Sequence, residues 1–216
     1  YYRRLNVNLN QWNDWNTDGL KLNSGANINL NGELPNQWWF WTGFNVNAIG
    51  ESYDDRAARG GPALRRNQRQ NVWLGFQSDE RKAATFVMQG YYVFKDVSGT
   101  TEWGIDPSVS FRVASRMQAE VSLNLSAGNY DAQWVGNPAD SAGTHYTFAR
   151  MQQRTSAITA RFDYTVTPRL SVQLYAQPFI TAGDYSNLRE LADPRAARYA
   201  DRFQPFAGTV EDFNVK

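Results

Sequence analysis

Taken in alternate positions, residues 117–127 separate into Met117, Ala119, Val121, Leu123, Leu125, Ala127 and Gln118, Glu120, Ser122, Asn124, Ser126. Successive side chains of a β-strand leave the backbone on opposite sides, so this segment carries one apolar and one polar face and no helical stripe. The same split recurs about nine times along the chain, over unusually long segments. A chain built this way folds as antiparallel strands that meet an apolar medium on one side and water on the other.

The apolar faces can be followed in order. They are Leu5, Val7, Leu9; then Leu20, Leu22, Ala26, Ile28, Leu30; then Trp38, Phe40, Phe44, Val46, Ala48. A short strand offers Val72, Leu74, Phe76, and the next two offer Ala84, Phe86, Met88, Tyr92, Phe94 and Trp103, Ile105, Val109, Phe111, Val113. The 117–127 strand extends toward Val135. A single strand from Thr144 to Val166 presents Ile158, Ala160, Phe162, Tyr164, Val166, and a ninth presents Leu170, Val172, Leu174, Ala176. Short connections (31–37, 78–82, 115–116, 167–169) alternate with longer ones (13–19, 51–68, 96–100, 136–143 and 183 to about 208). Transmembrane barrels alternate short periplasmic turns with longer extracellular loops. The expected fold is therefore all-β, an antiparallel up-and-down transmembrane β-barrel.

On this reading Leu5, Val7, Leu9, Phe86, Met88, Val109, Phe111, Val121, Leu123, Ile158, Phe162, Val172 and Leu174 face lipid. The opposite face would line a lumen through Asn6, Asn8, Asn10, Asn27, Asn29, Asn45, Asn47, Arg112, Glu120, Ser122, Asn124, Arg161, Asp163 and Gln173. Asparagine disfavours strands, so its density needs a cause; amides side by side around a lumen can bond each other and water. The alternative is the solvated face of a soluble sheet. Trp12, Trp15, Trp38, Trp39, Trp41, Trp103, Trp134, Tyr91, Tyr92, Phe94, Tyr146, Phe148 and Tyr164 fall near strand ends, as interfacial girdles do. Pro107 within a strand implies either a bulge or an early strand end.

Composition removes several chemistries. A net charge of +1 gives no electrostatic ground for nucleic acid or a polybasic anchor. With no cysteine and a single histidine, His145, there is no thiolate site, no disulfide and little scope for zinc or a catalytic triad. No cofactor or metal is expected. No apolar run approaches the roughly 20 residues of a spanning helix, and the negative mean hydropathy is compatible with alternating barrel walls. At 216 residues the chain suits one all-β domain. It begins inside a strand without a signal peptide, and Asp212–Lys216 reads as the start of another strand. It therefore reads as part of a longer protein. Nine strands is odd where bacterial single-chain barrels are even, so missing strands or a partner chain would complete the barrel.

Charges on the polar face (Arg4, Arg69, Arg112, Arg161; Glu102, Asp106, Glu120, Asp163) suit either a selective constriction or mutual pairs filling a narrow lumen. Glu102 and Asp106 as a glycosidase pair rest on too common a pattern, and enzymatic activity is not expected. The charged loop 51–68 is either a binding loop, solvated, or folded over the mouth. Residues 193–199 belong to an ordered loop, and His145 anchors one.

Several stretches between Glu102 and Phe206 carry a resemblance. They are Trp103–Pro107, Arg112–Arg116, Gln153–Thr155, Gly183–Tyr185 and above all Tyr164–Phe179, with its Leu-Ser-Val-Gln-Leu-Tyr-Ala-Gln-Pro-Phe run. The region resembles the C-terminal part of the bacterial family known as domain of unknown function 5916; residues 1–80 match in style only. The resemblance implies an outer-membrane barrel, an upstream carbohydrate-binding-module family 9-like domain, and further strands beyond Lys216. It supplies no catalytic residues. The functional expectation is a polar-lined passage in the bacterial outer membrane, in contact with its lipid and linked to saccharides. The alternatives are a plugged membrane anchor for a periplasmic sugar-binding domain and a soluble all-β carbohydrate-binding module.

Overall fold

The computed structural model describes residues 1–208; the segment 212–216, read above as a strand start, lies outside them. The elements run β1 (Arg4–Trp15), β2 (Lys21–Glu33), β3 (Trp39–Asn47), β4 (Tyr53–Asp54), β5 (Leu64–Arg65), β6 (Arg69–Gln77), β7 (Ala84–Val93) and β8 (Thr101–Ala114). They continue with β9 (Met117–Gly136), β10 (Ala139–Asp140), β11 (Gly143–Thr144), β12 (Thr147–Thr167), β13 (Leu170–Ala176), β14 (Phe179–Leu191), a 3₁₀ turn at Tyr199–Arg202, and β15 (Phe203–Pro205). The main sheet is an antiparallel meander in the order β1-β2-β3-β6-β7-β8-β9-β12-β14-β15, with β13 also beside β12. β4–β5 and β10–β11 are small hairpins inside loops.

Up-and-down topology follows from connection length. Ser115-Arg116 and Pro168-Arg169 suffice to reverse the chain at one end of the sheet. At the same end, Asp79 braces its turn by accepting from the Arg81 backbone N–H and from Nε and Nη2 at 3.0, 2.8 and 2.8 Å. The opposite end carries the long connections. Among the described residues the sheet does not close: β1 pairs only with β2, and β15 only with β14.

The strands differ from the sequence expectation in two places. Residues 183 to about 208 were expected as a loop, but the chain stays extended to Leu191. β13 and β14 lie end to end along one edge of β12, with Ala176 opposite Ala160 and Phe179 opposite Ala157. Their junction is Gln177-Pro178, where the Pro178 carbonyl still accepts from the Ile158 N–H at 3.0 Å. Alternation fails there because Gly183 has no side chain and a bulge at Asn187 (φ 55°) shifts the register between Ser186 and Arg189. Pro107, by contrast, neither ends nor bulges β8. Ile105↔Leu125 and Ser108↔Ser122 keep one register across it, and the ladder to β9 is simply unpaired at 106–107.

Register assigns the faces. Leu9↔Ile28, Ile28↔Phe44, Phe44↔Val72, Val72↔Tyr92 and Tyr92↔Trp103 form one apolar row, and Phe86↔Val109, Val109↔Val121 and Val121↔Ala160 another. Asn8↔Asn29, Asn29↔Gly43, Gly43↔Trp73, Trp73↔Tyr91, Tyr91↔Gly104, Gly104↔Ser126 and Ser126↔Thr155 form a row on the polar face. Several aromatics expected in girdles therefore point to the polar side. Trp12 lies over Gly25, Trp41 over Gly75 and Tyr91 over Gly104, each on the same face, and Trp73 lies over Gly43 in the same way. A Cβ at any of these glycines would overlap the ring, so the missing side chain is what lets the ring lie flat on the sheet.

The buried apolar core is small and sits under a loop. Ala58 and Leu64 pack on Phe148 of β12, joined by Trp134, Tyr146, Leu191 and Phe203. Loop 48–68 thus reaches from β3 to β12, strands five steps apart in the sheet order, or roughly 24 Å at normal strand spacing.

A candidate solute chamber beneath the loop cap

Cross-strand amide pairs build the floor of the polar face next to β1. Asn6, Asn8 and Asn10 donate to Asn31, Asn29 and Asn27 at 3.0, 2.9 and 2.8 Å, and Asn45 donates to Asn71 at 3.3 Å. These pairs explain why strand-averse asparagines occupy alternate positions, since each rung satisfies an amide that neighbouring strands would otherwise leave unpaired.

Toward the long-loop end the polar face borders a cavity of about 610 Å³. Its walls come from β2 (Asn23), β3 (Asn47), β6 (Arg69, Asn71), β7 (Tyr91), β8 (Glu102) and β9 (Tyr130, Asp131), with Leu64, Arg66 and Tyr199 from the loops. A flat sheet could not surround one space with residues from β2 to β9; the polar face is concave and the loops cover its end.

The charges of this chamber are matched locally. Glu102 accepts from Arg69 Nη2 at 2.6 Å and from the Tyr91 hydroxyl at 2.7 Å. Arg66 lies 3.0 Å from Asp54. Asp131, 1% exposed, sits where β9 bulges opposite Arg150. It accepts from Arg150 Nη2 (2.6 Å), Arg189 Nη2 (2.5 Å) and the Tyr199 hydroxyl (2.6 Å). Burial, together with donation to Asp131, pushes the Tyr199 phenol well above its ordinary range.

The cap is pinned by a buried arginine. Arg202, 3% exposed, donates to the carbonyls of Ala196 (2.9 Å) and Arg65 (2.7 Å) and to Asn67 Oδ1 (2.9 Å). Asn137 Nδ2 donates to the carbonyls of Ala58 and Arg59 at 3.0 and 3.1 Å, and Arg59 lies 4.2 Å over the Trp134 ring. Of the readings left open for loop 51–68, the one in which it folds inward is observed, over one end of the polar face. His145 does anchor a loop: Nδ1 bonds Glu190, and Nε2 is 3.2 Å from Asp140 without hydrogen-bond alignment. The bond to Glu190 and the nearness of Asp140 raise its pKa above 6.5.

Of the residues expected in a lumen, Asn47 lines the chamber. Asn6, Asn8, Asn10, Asn27, Asn29 and Asn45 extend the same face as the amide ladder. Asn124 donates to Asp106, Glu120 stands opposite Arg161, and Asp163 opposite Gln173. Ser122 pairs with Ser108, and Arg112 donates to the Glu80 carbonyl at 3.1 Å in the short-turn end. Asp131, Tyr130 and Tyr199 were not foreseen. Asp131 and Tyr130 lie beyond the clear alternation of β9, and Tyr199 reaches the site through a loop.

The class these features define is an antiparallel all-β meander, apolar on one face and polar on the other, with loops folded over one end of the polar side. The family model described as "Domain of unknown function (DUF5916)" matches residues 1–215, and the chain belongs to that family. The match extends well upstream of Glu102, where the sequence resemblance begins. No curated protein and no solved structure matches the chain.

Proposed function

We propose that this sheet is part of the wall of a non-enzymatic β-barrel in a bacterial outer membrane, with the polar face lining a solute passage. The observation that carries the reading is the inversion of burial. On the outer face Leu9, Leu74 and Ile180 are 78%, 59% and 76% exposed, while the chamber and its paired charges lie on the concave side. In water such an apolar surface, continuous across strands, is a liability; in lipid it is the expected wall. Its size fits. Met117 to Ala127 spans roughly 33 Å along the strand, or about 23 Å of height at a tilt of about 45°, against a hydrocarbon-facing band of about 25 Å in known barrels. Closure would come from strands pairing with the free edge of β1 and with β13, because an open edge in lipid leaves unsatisfied backbone groups.

The folded-in cap and paired charges also favour a second reading, a barrel plugged at this end that serves as an anchor. Both readings require lipid around Leu123. Leu123→Arg should destabilise insertion into lipid vesicles by about 2–4 kcal/mol, the cost of arginine near a bilayer midplane, while Ser122→Arg is tolerated. Equal tolerance of both would contradict the proposal.

A further inference from the structure

Resting on the passage reading, we infer that the chamber takes a neutral polyhydroxylated solute of mono- or disaccharide size, not an ion. The first ground is charge. Each arginine in the chamber wall has a carboxylate within 4.0 Å: Arg65 with Glu51, Arg66 with Asp54, Arg69 with Glu102. The wall carboxylates are equally engaged: Asp131 by two arginines and Tyr199, Asp96 by the N–H groups of Ser98 and Thr100. An ion entering this space would meet arginines already paired with carboxylates, and carboxylates already engaged by hydrogen bonds.

The second ground is what remains unpaired. Among the described residues the side-chain amides of Asn23 and Asn47 border the chamber with no partner in the chain. Each offers a carbonyl acceptor and two N–H donors, a set that matches hydroxyl groups, which both donate and accept.

The third ground is the aromatic surface. Tyr91 lies against Gly104 and Tyr130 against Gly128, so each ring has one face on the backbone and the other turned to the chamber. By register Trp41 and Trp73 continue this surface down the polar face. Trp73 stands directly opposite Tyr91, and Trp41 is one row lower on the adjacent strand. A smaller cavity of about 150 Å³ touches Trp41, Trp73 and Tyr91 together. Flat rings flanked by amides present an apolar platform with polar edges, which suits the C–H face and hydroxyl rim of a sugar ring. A volume of about 610 Å³ is within the range of small-molecule sites.

The test is saturation-transfer NMR on the full-length protein in detergent micelles, with maltose and sucrose as neutral probes and gluconate and glucosamine as charged ones. The neutral sugars should receive saturation and the charged probes markedly less. Tyr91→Leu should weaken the sugar signal about fivefold, while Tyr91→Phe, which keeps the platform, retains it. Asn47→Ala, which breaks no bond within the chain, should weaken it without unfolding. Equal or stronger signals from gluconate or glucosamine would overturn the inference, as would silence from both sugars. Cysteine labelling at position 122 separates the failures: a labelled, wet lumen that binds no sugar sinks this inference alone, whereas a protected one sinks the passage reading beneath it.

Discussion

Removing the Asp131 carboxylate should be the most damaging single change near the cap. Its side chain is 2% exposed and holds two arginines of unequal burial, 12% exposed for Arg189 and 41% for Arg150. In Asp131→Ala the Arg189 guanidinium stays buried without its counter-charge, which costs about 3–5 kcal/mol. Arg150 can turn to water, and its pair is worth at most about 1 kcal/mol. The expected loss is therefore about 3–6 kcal/mol. Asp131→Asn, which keeps an acceptor but not the charge, should lose about 1.5–3 kcal/mol. Urea unfolding in lipid vesicles, followed by tryptophan emission, reads these values. Most of the alanine cost is the stranded arginine, so Asp131→Leu combined with Arg189→Met should recover most of the stability. A loss below about 1 kcal/mol in Asp131→Ala, or a double variant worse than the single, would refute the reasoning.

Gly43→Val should cost about 1–3 kcal/mol because its side chain meets the Trp73 ring, and Trp73→Ala in the same chain should recover part of that loss. His145, the sole histidine, should titrate by NMR above 6.5 and fall toward that value in Glu190→Gln. Because the folded state raises this pKa, the His145 clip is fully present below pH 6.5 and is lost as pH rises through the folded value. Protease access to loop 137–146 should increase over that interval, and an unchanged cutting rate would count against the clip. Hydrogen bonds from Arg81 pull the Asp79 carboxyl down to about 2, so its turn should hold above pH 3.8 and loosen as pH falls toward 2. Hydrogen exchange at the Arg81 amide, compared with Asp79→Ala, reports it.

What the sequence disclosed was the part governed by local periodicity. Met117–Ala127 announces its two faces because each position is set by which side of one strand it leaves. The alternating connection lengths likewise specify the meander. Properties that depend on register could not be read in advance. That Trp73 covers Gly43, or Trp41 covers Gly75, needs the pairing of β3 with β6, so Trp41 was expected in a girdle and Trp73 was not singled out. β14 was hidden because Pro178, Gly183 and the Asn187 bulge interrupt alternation while the backbone stays extended. The chamber is still less local: Asp131 meets Arg189 and Tyr199 across 58 and 68 residues of chain, and loop 51–68 shows nothing in its charged sequence of the contact between Leu64 and Phe148.

The central claim, a wall between lipid and a wet polar face, is tested most directly by single cysteines at Ser122 and Leu123 in the full-length protein in its own membrane. The absence of native cysteine makes the background clean. A small water-soluble maleimide should label position 122 and spare 123. Protection of both would replace the passage with a plugged anchor; labelling at 123 in a protein that stays in solution would contradict the membrane wall itself.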